Sequence, residues 1–173
     1  NLLAIRKNNG GIRLIAVGYV WRRLAAKVAC SHARKVSSTL LEPRQLGFGV
    51  SGGIEAAIRA ARCYLENMDS GKLYCKIDFR NAFNTVRRDA ILEAVAKHLP
   101  ELLPFAASTL STPSVLQFAD FTLSSEEGAQ QGDPLGPLYF CLTTIELLKA
   151  MKSELVLAYL DDVALGDDAD SVL

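Results

Sequence analysis

The chain has 173 residues, half of them hydrophobic, and its 19 basic and 19 acidic side chains cancel to a net charge of zero. This length fits one domain or two small lobes, and the apolar content is too high for a disordered chain. No apolar run approaches the ~18 residues that a membrane span requires. The 4 cysteines are too widely spaced for a zinc site or a disulfide scaffold, so we expect reduced core cysteines in an intracellular protein.

The neutral total conceals a charge asymmetry between the two halves of the chain. Residues 1–88 carry 16 Lys and Arg against 5 Asp and Glu, a balance of +11, whereas residues 89–173 carry 3 against 14, a balance of −11. A basic half suits a polyanionic partner, and an acidic half can hold metal ions. Attraction of the two halves across an interface would explain the same split.

The first predicted element is a β-hairpin. The turn signal Asn8-Asn9-Gly10-Gly11 separates a strand near residues 2–7 from a second strand near residues 12–17. Arg13 would lie on the second strand within a basic patch. A solvated arginine on a strand face explains this position as well as a functional one does.

Two helices are predicted next, with a glycine-rich loop between them. Residues 19–41 have helical periodicity, with an apolar stripe through Val20, Leu24 and Val28 and basic side chains largely off it. A second helix is predicted over residues 54–66. The loop before it lacks the Lys-Ser/Thr of a P-loop, which favours a groove for a nucleic-acid strand over a nucleotide cradle. Plain helix capping is the alternative.

The middle of the chain combines a strand with further helices. A buried strand over residues 72–79 is predicted to carry Asp78 near its C-terminal end, with Phe83 in the turn beyond it. An amphipathic helix is predicted over residues 90–99, ended by Pro100, and a further helix over residues 102–110.

A second hairpin and a long helix follow. Residues 115–118 and 121–123 alternate around Ala119-Asp120, which is typical of a hairpin. The turn Gly132-Asp133-Pro134 precedes a helix predicted over residues 135–151. The aspartate of this turn is predicted to be the N-cap of that helix rather than a metal ligand.

The most informative motif is Tyr159-Leu160-Asp161-Asp162, which lies between the apolar runs 155–158 and 163–165. This pattern predicts a tight hairpin with two acids at its tip. Like charges raise each other's pKa, and a divalent cation is the usual compensation. With Asp78, the pair would suit a two-metal phosphoryl-transfer site, whose ions lie roughly 3.5–4 Å apart. Asp-Asp is also common turn chemistry. Three later acids are predicted to be solvated or in a loop: Asp167, Asp168 and Asp170.

Three blocks, in this order, resemble the catalytic blocks of reverse transcriptases: Asp78-Phe79-Arg80-Asn81-Ala82-Phe83, then Gln131-Gly132-Asp133-Pro134-Leu135-Gly136-Pro137, then Tyr159-Leu160-Asp161-Asp162. Two upstream segments resemble weaker fingers motifs: Arg13-Leu14-Ile15 and Gln45-Leu46-Gly47-Phe48. The wording of the second catalytic block most resembles non-LTR (LINE-type) retrotransposon enzymes. Three positions depart from the usual wording: Gln130 for Arg, Gly136 for Ser and Leu14 for Pro.

This resemblance implies an α+β polymerase palm, a small antiparallel sheet backed by helices. Residues 1–70 would be partial fingers and residues 71–173 the palm, with the thumb absent and the chain truncated at both ends. The implied activity is RNA-directed DNA synthesis, the transfer of dNTPs onto a primer 3′-hydroxyl, although the isolated fragment is expected to be inactive. The implied partners are an RNA template, a DNA primer and the rest of a parent polyprotein, with a thumb and an optional endonuclease. The implied location is the nucleus and cytoplasm, as a ribonucleoprotein.

The resemblance also implies roles for individual residues. The implied catalytic residues are Asp78, Asp161 and Asp162. With the backbone carbonyl of Phe79 they would bind two Mg²⁺ ions, which Mn²⁺ could replace. The implied dNTP-binding residues are Arg13, Phe83 and Gln131, with the ring of Phe83 excluding a 2′-hydroxyl. The implied nucleic-acid contacts are Gln45, Gly47 and Tyr159.

Three alternatives stay open at this point. A group II intron-type or other cellular reverse transcriptase would share the mechanism. An RNA-dependent RNA polymerase would share the aspartates, but Phe83 argues against ribonucleotides. A catalytically dead remnant that only binds nucleic acid is disfavoured, because all three aspartates are present.

Overall fold

The computed structural model describes residues 2–6, 8 and 10–172, with the backbone alone for residues 171 and 172. Its strands are β1 (Leu2–Arg6), β2 (Ile12–Ala16), β3 (Lys72–Asp78), β4 (Ser114–Phe118), β5 (Phe121–Ser125), β6 (Leu155–Tyr159) and β7 (Asp162–Asp168). Its helices are α1 (Val20–Leu41), α2 (Gly53–Asn67), α3 (Ala82–Thr85), α4 (Arg88–His98), α5 (Leu103–Leu110), α6 (Gly136–Ala150) and α7 (Ala169–Val172). A 3₁₀ turn covers Pro100–Leu102. The predicted α+β class is confirmed.

Two compact units make up the fold, and each combines two separate stretches of the chain. The hairpin unit comprises Asn1–Ala33 and Asn81–Phe140, and the sheet unit comprises Arg34–Arg80 and Cys141–Leu173. The predicted division into fingers (residues 1–70) and palm (residues 71–173) was based on the family resemblance, whereas these units are defined by packing. The predicted division stays a prediction.

The described residues of the hairpin unit include the first two predicted hairpins. Strands β1 and β2 pair antiparallel, with Leu2 opposite Ala16. Strands β4 and β5 pair in the same way around a turn at Ala119, whose φ is 50°. In the first hairpin, the predicted strand residue Lys7 and turn residue Asn9 lie outside the described residues.

Helices α4 and α5 supply much of the apolar core of the hairpin unit. The periodicity of α4 is as predicted, and this helix ends at His98, just before Pro100. Proline cannot continue a helix, because it has no N–H and its ring clashes with the preceding turn. The buried side chains recur every three or four residues: Ile91, Val95, Leu99, Leu102, Ala106 and Leu110.

The buried side of helix α1 is not the side that was predicted. Its predicted apolar stripe is exposed, with Val20 at 64% and Val28 at 72% of their full accessible area. Small side chains line the buried face instead: Ala26, Ala33 and Ser37, with Leu41 at the end of the helix. Small residues allow a helix to approach its neighbours closely, a preference that apolar periodicity does not reveal.

The sheet unit is built on one antiparallel sheet, in the order β3-β7-β6. Helix α2 covers one face, where Ala57 joins Leu46, Leu157 and Ala164 in an apolar cluster. A Cβ at Gly166 would lie 2.5 Å from the Tyr64 ring. A larger residue at this position would have to displace the Tyr64 ring that α2 packs against β7.

Two predictions about this sheet differ from the structure in detail. Strand β3 was expected to be buried, but its residues alternate between half-buried and exposed. Within the described residues it pairs with β7 alone, so it is an edge strand. Asp167 and Asp168, predicted to be solvated or in a loop, lie within β7 opposite Leu73 and Lys72, with Asp168 exposed and Asp167 half-buried.

Helix α6 begins as the sequence predicts. The carboxylate of Asp133 accepts a hydrogen bond from the Leu135 backbone N–H at 3.0 Å, which is N-cap chemistry. The other carboxylate oxygen pairs with Arg22 at 2.5 Å, and the Asp133 side chain is only 6% exposed.

Asp133→Ala should therefore lower the free energy of unfolding of the hairpin unit by about 2 kcal/mol, since it removes a cap and leaves Arg22 without its partner. Hydrogen exchange at the start of α6 measures this loss. Asp120→Ala, at the exposed tip of the β4–β5 hairpin, is the matched control and should have little effect. Equal losses in the two variants would contradict the capping role.

Among the described residues, no helix is both long enough and apolar enough to cross a membrane. None of the four cysteines, all of which lie within the described residues, forms a disulfide. Cys141 is buried and Cys63 is exposed, which corrects the expectation that Cys63 is a core residue. Burial raises the pKa of the Cys141 thiol to about 12, so this thiol stays protonated at neutral pH.

Candidate active site

Two of the three predicted catalytic acids are cross-strand partners in the sheet unit. Asp78 is the last residue of β3 and Asp162 the first of β7, and they lie directly opposite each other in the antiparallel register. Residues opposite each other project from the same face of a sheet, with Cβ atoms about 4.5–5.5 Å apart. Both side chains are exposed. Like charges in this arrangement repel, so the pair favours a cation.

The third acid lies in the turn between β6 and β7. Leu160 and Asp161 connect the paired residues Tyr159 and Asp162, and Leu160 has a φ of 57°. The predicted hairpin is confirmed, with Asp161 at its tip and Asp162 beginning the return strand. In the part of the chain that is described, no three acidic, histidine or cysteine side chains group closely enough to hold a metal ion. The structure thus brings Asp78 and Asp162 together but does not gather all three acids.

A lysine provides positive charge next to this pair. The Lys76 ammonium lies 2.9 Å from Oδ1 of Asp162. The pKa of Lys76 is raised, chiefly by its hydrogen bond to Asp162 and by that residue's charge, with a smaller effect from Asp78. The Lys76 and Asp162 side chains are largely exposed, so this ion pair contributes little to stability by itself. The ion pair shows that the carboxylate of Asp162 attracts a cation.

Gln45 has a different role from the one predicted. Its side chain is completely buried, and its amide bonds both the N–H and the C=O of Leu160. A buried amide with these partners has no surface to offer a nucleic acid, so that prediction is corrected. Gly47 lies against the same turn, where an added Cβ would come 2.7 Å from Cγ of Leu160. Close packing explains this glycine.

Tyr159 packs at the edge of the apolar cluster and is half-buried. It lines a cavity of about 230 Å³ on the α2 face of the sheet, together with Lys76 and Asp162. Its predicted contact with nucleic acid stays a prediction.

Phe83 belongs to the hairpin unit, on the short helix α3. Its ring centroid lies 5.0 Å from that of Phe140, at a tilt of 41°. This is a favourable aromatic pair, which holds the ring in one orientation. Phe83 is only half-buried, so part of the ring stays accessible.

Gln131 lines a cavity of about 470 Å³ in the hairpin unit, together with Asn81 and Asn84. Its backbone carbonyl accepts a hydrogen bond from Ala16 at 2.8 Å. Its side-chain Oε1 is buried, and no partner for it exists among the described residues. An unpaired buried acceptor is costly unless a ligand or water supplies a donor. Arg13 is exposed on β2.

Arg88 was missed in the sequence, although it orders the segment before Gln131. It is 8% exposed, and its guanidinium donates to four acceptors: the carbonyls of Thr112, Glu127 and Gly128, and Oγ of Ser125. Burial lowers its pKa, with a smaller effect from Arg22. Its neighbour Arg87 is exposed and pairs with Asp89. No local pattern distinguishes the two arginines.

The sequence profile of the family described as reverse transcriptase (RNA-dependent DNA polymerase) matches residues 5–172. The chain belongs to this family. Reverse transcriptases generally use divalent metal ions, which agrees with the paired carboxylates.

A relative supports this assignment, and two solved structures share the fold. The chain is 34% identical over 177 residues to the retrotransposable element SLACS 132 kDa protein of Trypanosoma brucei gambiense, covering 96% of this reverse transcriptase domain and 15% of that protein. The apo telomerase of Candida tropicalis truncated from its C-terminal domain matches with a TM-score of 0.63 at 14% identity, covering 99% of this chain and 44% of that one. The apo telomerase of the same organism matches with a TM-score of 0.65 at 12% identity, covering 99% of this chain and 39% of that one. At these identities the telomerases show the shared fold alone.

Proposed function

We propose that the chain forms the fingers and palm of a non-LTR retrotransposon reverse transcriptase and carries out RNA-directed DNA synthesis. The observation that carries this proposal is the registered pair Asp78 and Asp162, with Asp161 next to it in the turn. The pair occurs in a chain that belongs to the reverse transcriptase family. The similarity to a retrotransposable element protein supports the lineage.

The residues present fit a divalent cation. Asp78 and Asp162 offer carboxylate oxygens from one face of the sheet, and oxygen donors are what Mg²⁺ prefers. Asp161 and the backbone carbonyl of Phe79 would complete the donor set for two Mg²⁺ ions. Bound there, the ions would lower the pKa of the primer 3′-hydroxyl and neutralise the triphosphate charge.

The side chains around these donors have separate tasks. Asp78 and Asp161 are proposed to bind both metal ions. They lie on two different segments of the chain, so metal binding depends on the position of each segment. Lys76 holds the carboxylate of Asp162 at 2.9 Å and offsets part of the negative charge before a cation arrives. Strand register rather than side-chain packing fixes Asp78, because it lies at the end of an edge strand.

We assign the nucleotide contacts to the hairpin unit. Gln131 has a buried Oε1 in need of a donor, which a nucleotide could supply. Arg13 presents an exposed guanidinium, which suits a triphosphate. The nucleic-acid template and primer would be held mainly through their phosphates, which agrees with the +11 balance that 16 basic against 5 acidic side chains give residues 1–88. Base pairing rather than protein side chains would select the nucleotide.

The test of this function is primer extension by the complete protein on a primed RNA template with Mg²⁺. We expect dNTPs to be incorporated in template order and EDTA to stop the reaction. Incorporation of rNTPs in preference to dNTPs would indicate an RNA polymerase instead. Binding to primed template without any extension would indicate a catalytically dead remnant.

Phe83→Ala should raise ribonucleotide incorporation by about 10-fold or more, since contacts that exclude one hydroxyl group are worth about 1–3 kcal/mol. The ratio of kcat/KM for a dNTP to that for the matching rNTP measures this. Phe140→Leu is the control, because it removes the aromatic partner of Phe83 but leaves the Phe83 ring in place. An unchanged ratio in Phe83→Ala would remove this residue from sugar selection.

A further inference from the structure

The turn that carries Asp161 has a backbone conformation that its sequence does not favour. Leu160 and Asp161 form a two-residue connection between β6 and β7, and Leu160 is the residue with positive φ, at 57°. A two-residue hairpin turn with positive φ at its first central position normally has glycine there. A leucine pays for this conformation in steric strain, so an outside contact is needed to hold the turn in one state.

Gln45 supplies that contact. Its Oε1 accepts a hydrogen bond from the Leu160 N–H at 2.8 Å, and its Nε2 donates to the Leu160 carbonyl at 3.0 Å. The same Oε1 accepts from the Gly47 N–H at 3.0 Å. One buried amide thus bonds both polar groups of the strained residue. Leaving either group without a partner in this partly buried place would be unfavourable.

The backbone on both sides of Gln45 is fixed to the same hairpin. Leu46 N–H donates to the Ala158 carbonyl at 2.8 Å, and Ala158 N–H donates to the Arg44 carbonyl at 2.6 Å. Gln45 and Ala158 form a parallel bridge. The backbone at Gln45 is therefore bridged to β6 and cannot move away from the hairpin without breaking these bonds.

Gly47 completes the arrangement by leaving room for it. A Cβ at this position would come 2.7 Å from Cγ of Leu160 and would press on the Leu160 backbone nitrogen. The pairing of Gln45 with Gly47, which resembled a fingers motif, is thus explained by the Leu160 turn that both residues contact. We call Gln45 and Gly47 the turn clamp.

We propose that Gln45 is a positioning residue, which fixes the Leu160 turn and thereby the carboxylate of Asp161 for metal binding. This inference rests on the proposed function, in which Asp161 is a metal ligand. Gln45 acts through Leu160, the residue before Asp161, and touches no reacting group. Residues that orient metal ligands in this indirect way typically contribute about 10–100-fold to metal affinity or activity.

The first experiment needs only the complete wild-type protein. Hydrogen exchange should show the Leu160 amide protected about 100-fold or more, although it lies in a turn, because it donates to a buried acceptor. Exchange at the rate of an open turn would show that the clamp does not exist in solution, and the proposal would be overturned. This result does not depend on any variant folding.

The second experiment uses Gln45→Met, which keeps the length of the side chain and removes its hydrogen bonds. We expect Leu160 exchange to accelerate, and Mn²⁺ affinity, read by electron paramagnetic resonance without substrate, to fall about 10-fold or more. The kcat should fall about 10–100-fold while KM for primer–template stays unchanged. Ile91→Val, in the buried core of α4, is the control for general destabilisation and should alter neither Leu160 exchange nor Mn²⁺ affinity.

The outcomes separate the two proposals. Unchanged Mn²⁺ affinity and unchanged Leu160 exchange in Gln45→Met would overturn the positioning role and leave the polymerase assignment standing. Wild-type protein that binds no Mn²⁺ would overturn the proposed function, and the exchange data would still decide whether the clamp exists. Equal losses in Gln45→Met and Ile91→Val would reduce Gln45 to a general stabilising residue, against the proposal.

Discussion

Asp78→Asn and Asp161→Asn should each reduce primer extension by about 1000-fold or more. Each substitution removes one negative charge from a proposed metal ligand, and a metal ion is worth several kcal/mol to the transition state. About 1.4 kcal/mol corresponds to a tenfold change in rate, so a loss of about 4 kcal/mol gives this factor. Single-turnover extension of a labelled primer with Mg²⁺ measures the chemical step directly.

The matched control is Asp170→Asn, which removes an exposed carboxylate from α7. It should extend primers at the wild-type rate. Affinity for primed template should be similar in all three variants, because the phosphate contacts are assigned elsewhere. More than about a tenth of wild-type activity in Asp78→Asn would contradict its role as a ligand, since that factor corresponds to only about 1.4 kcal/mol.

Arg88→Met should lower the local stability of the hairpin unit by about 3 kcal/mol. It leaves the buried Gly128 carbonyl and three part-buried acceptors without their donor. A buried group without a partner costs about 1–3 kcal/mol, and the part-buried groups add less because water can reach them. Since whole domains are stable by only about 5–15 kcal/mol, this is a large effect. Hydrogen exchange over residues 112–131 provides the measurement.

The neighbouring arginine offers a close control. Arg87→Met removes an exposed ion pair with Asp89 and should cost less than about 1 kcal/mol. Arg88→Lys should fall between the two, because an ammonium can reach some of the four acceptors but lacks the planar fork. Similar losses of local stability in Arg87→Met and Arg88→Met would show that the hydrogen bonds of Arg88 contribute no more than an exposed ion pair.

The sequence predicted the elements that carry strong local signals. The hairpin at Tyr159–Asp162 was predicted because two β-prone runs flank a pair of turn residues. Helix α4 was predicted from apolar periodicity and the following Pro100, and Asp133 from its place before α6. These features are visible within a window of a few residues, and the structure confirms them.

The misses concern long-range contacts, which no local window contains. Gln45 and Leu160 meet although 115 positions separate them along the chain. Strand β3 has an apolar sequence, but its exposure depends on whether a strand pairs on its free side. The exposed apolar stripe of α1 was missed for the same reason, because helical periodicity identifies an apolar face but not the part of the chain that packs against it.

A structure of the complete protein with primed template, incoming dNTP and a divalent cation would test the two-metal site most directly. We predict that carboxylate oxygens of Asp78 and Asp161 both coordinate metal, at about 2.1 Å for Mg²⁺. Their separation would then be compatible with ions roughly 3.5–4 Å apart. Carboxylates of Asp78 and Asp161 that stay more than about 8 Å apart with nucleotide bound would contradict the proposed two-metal site.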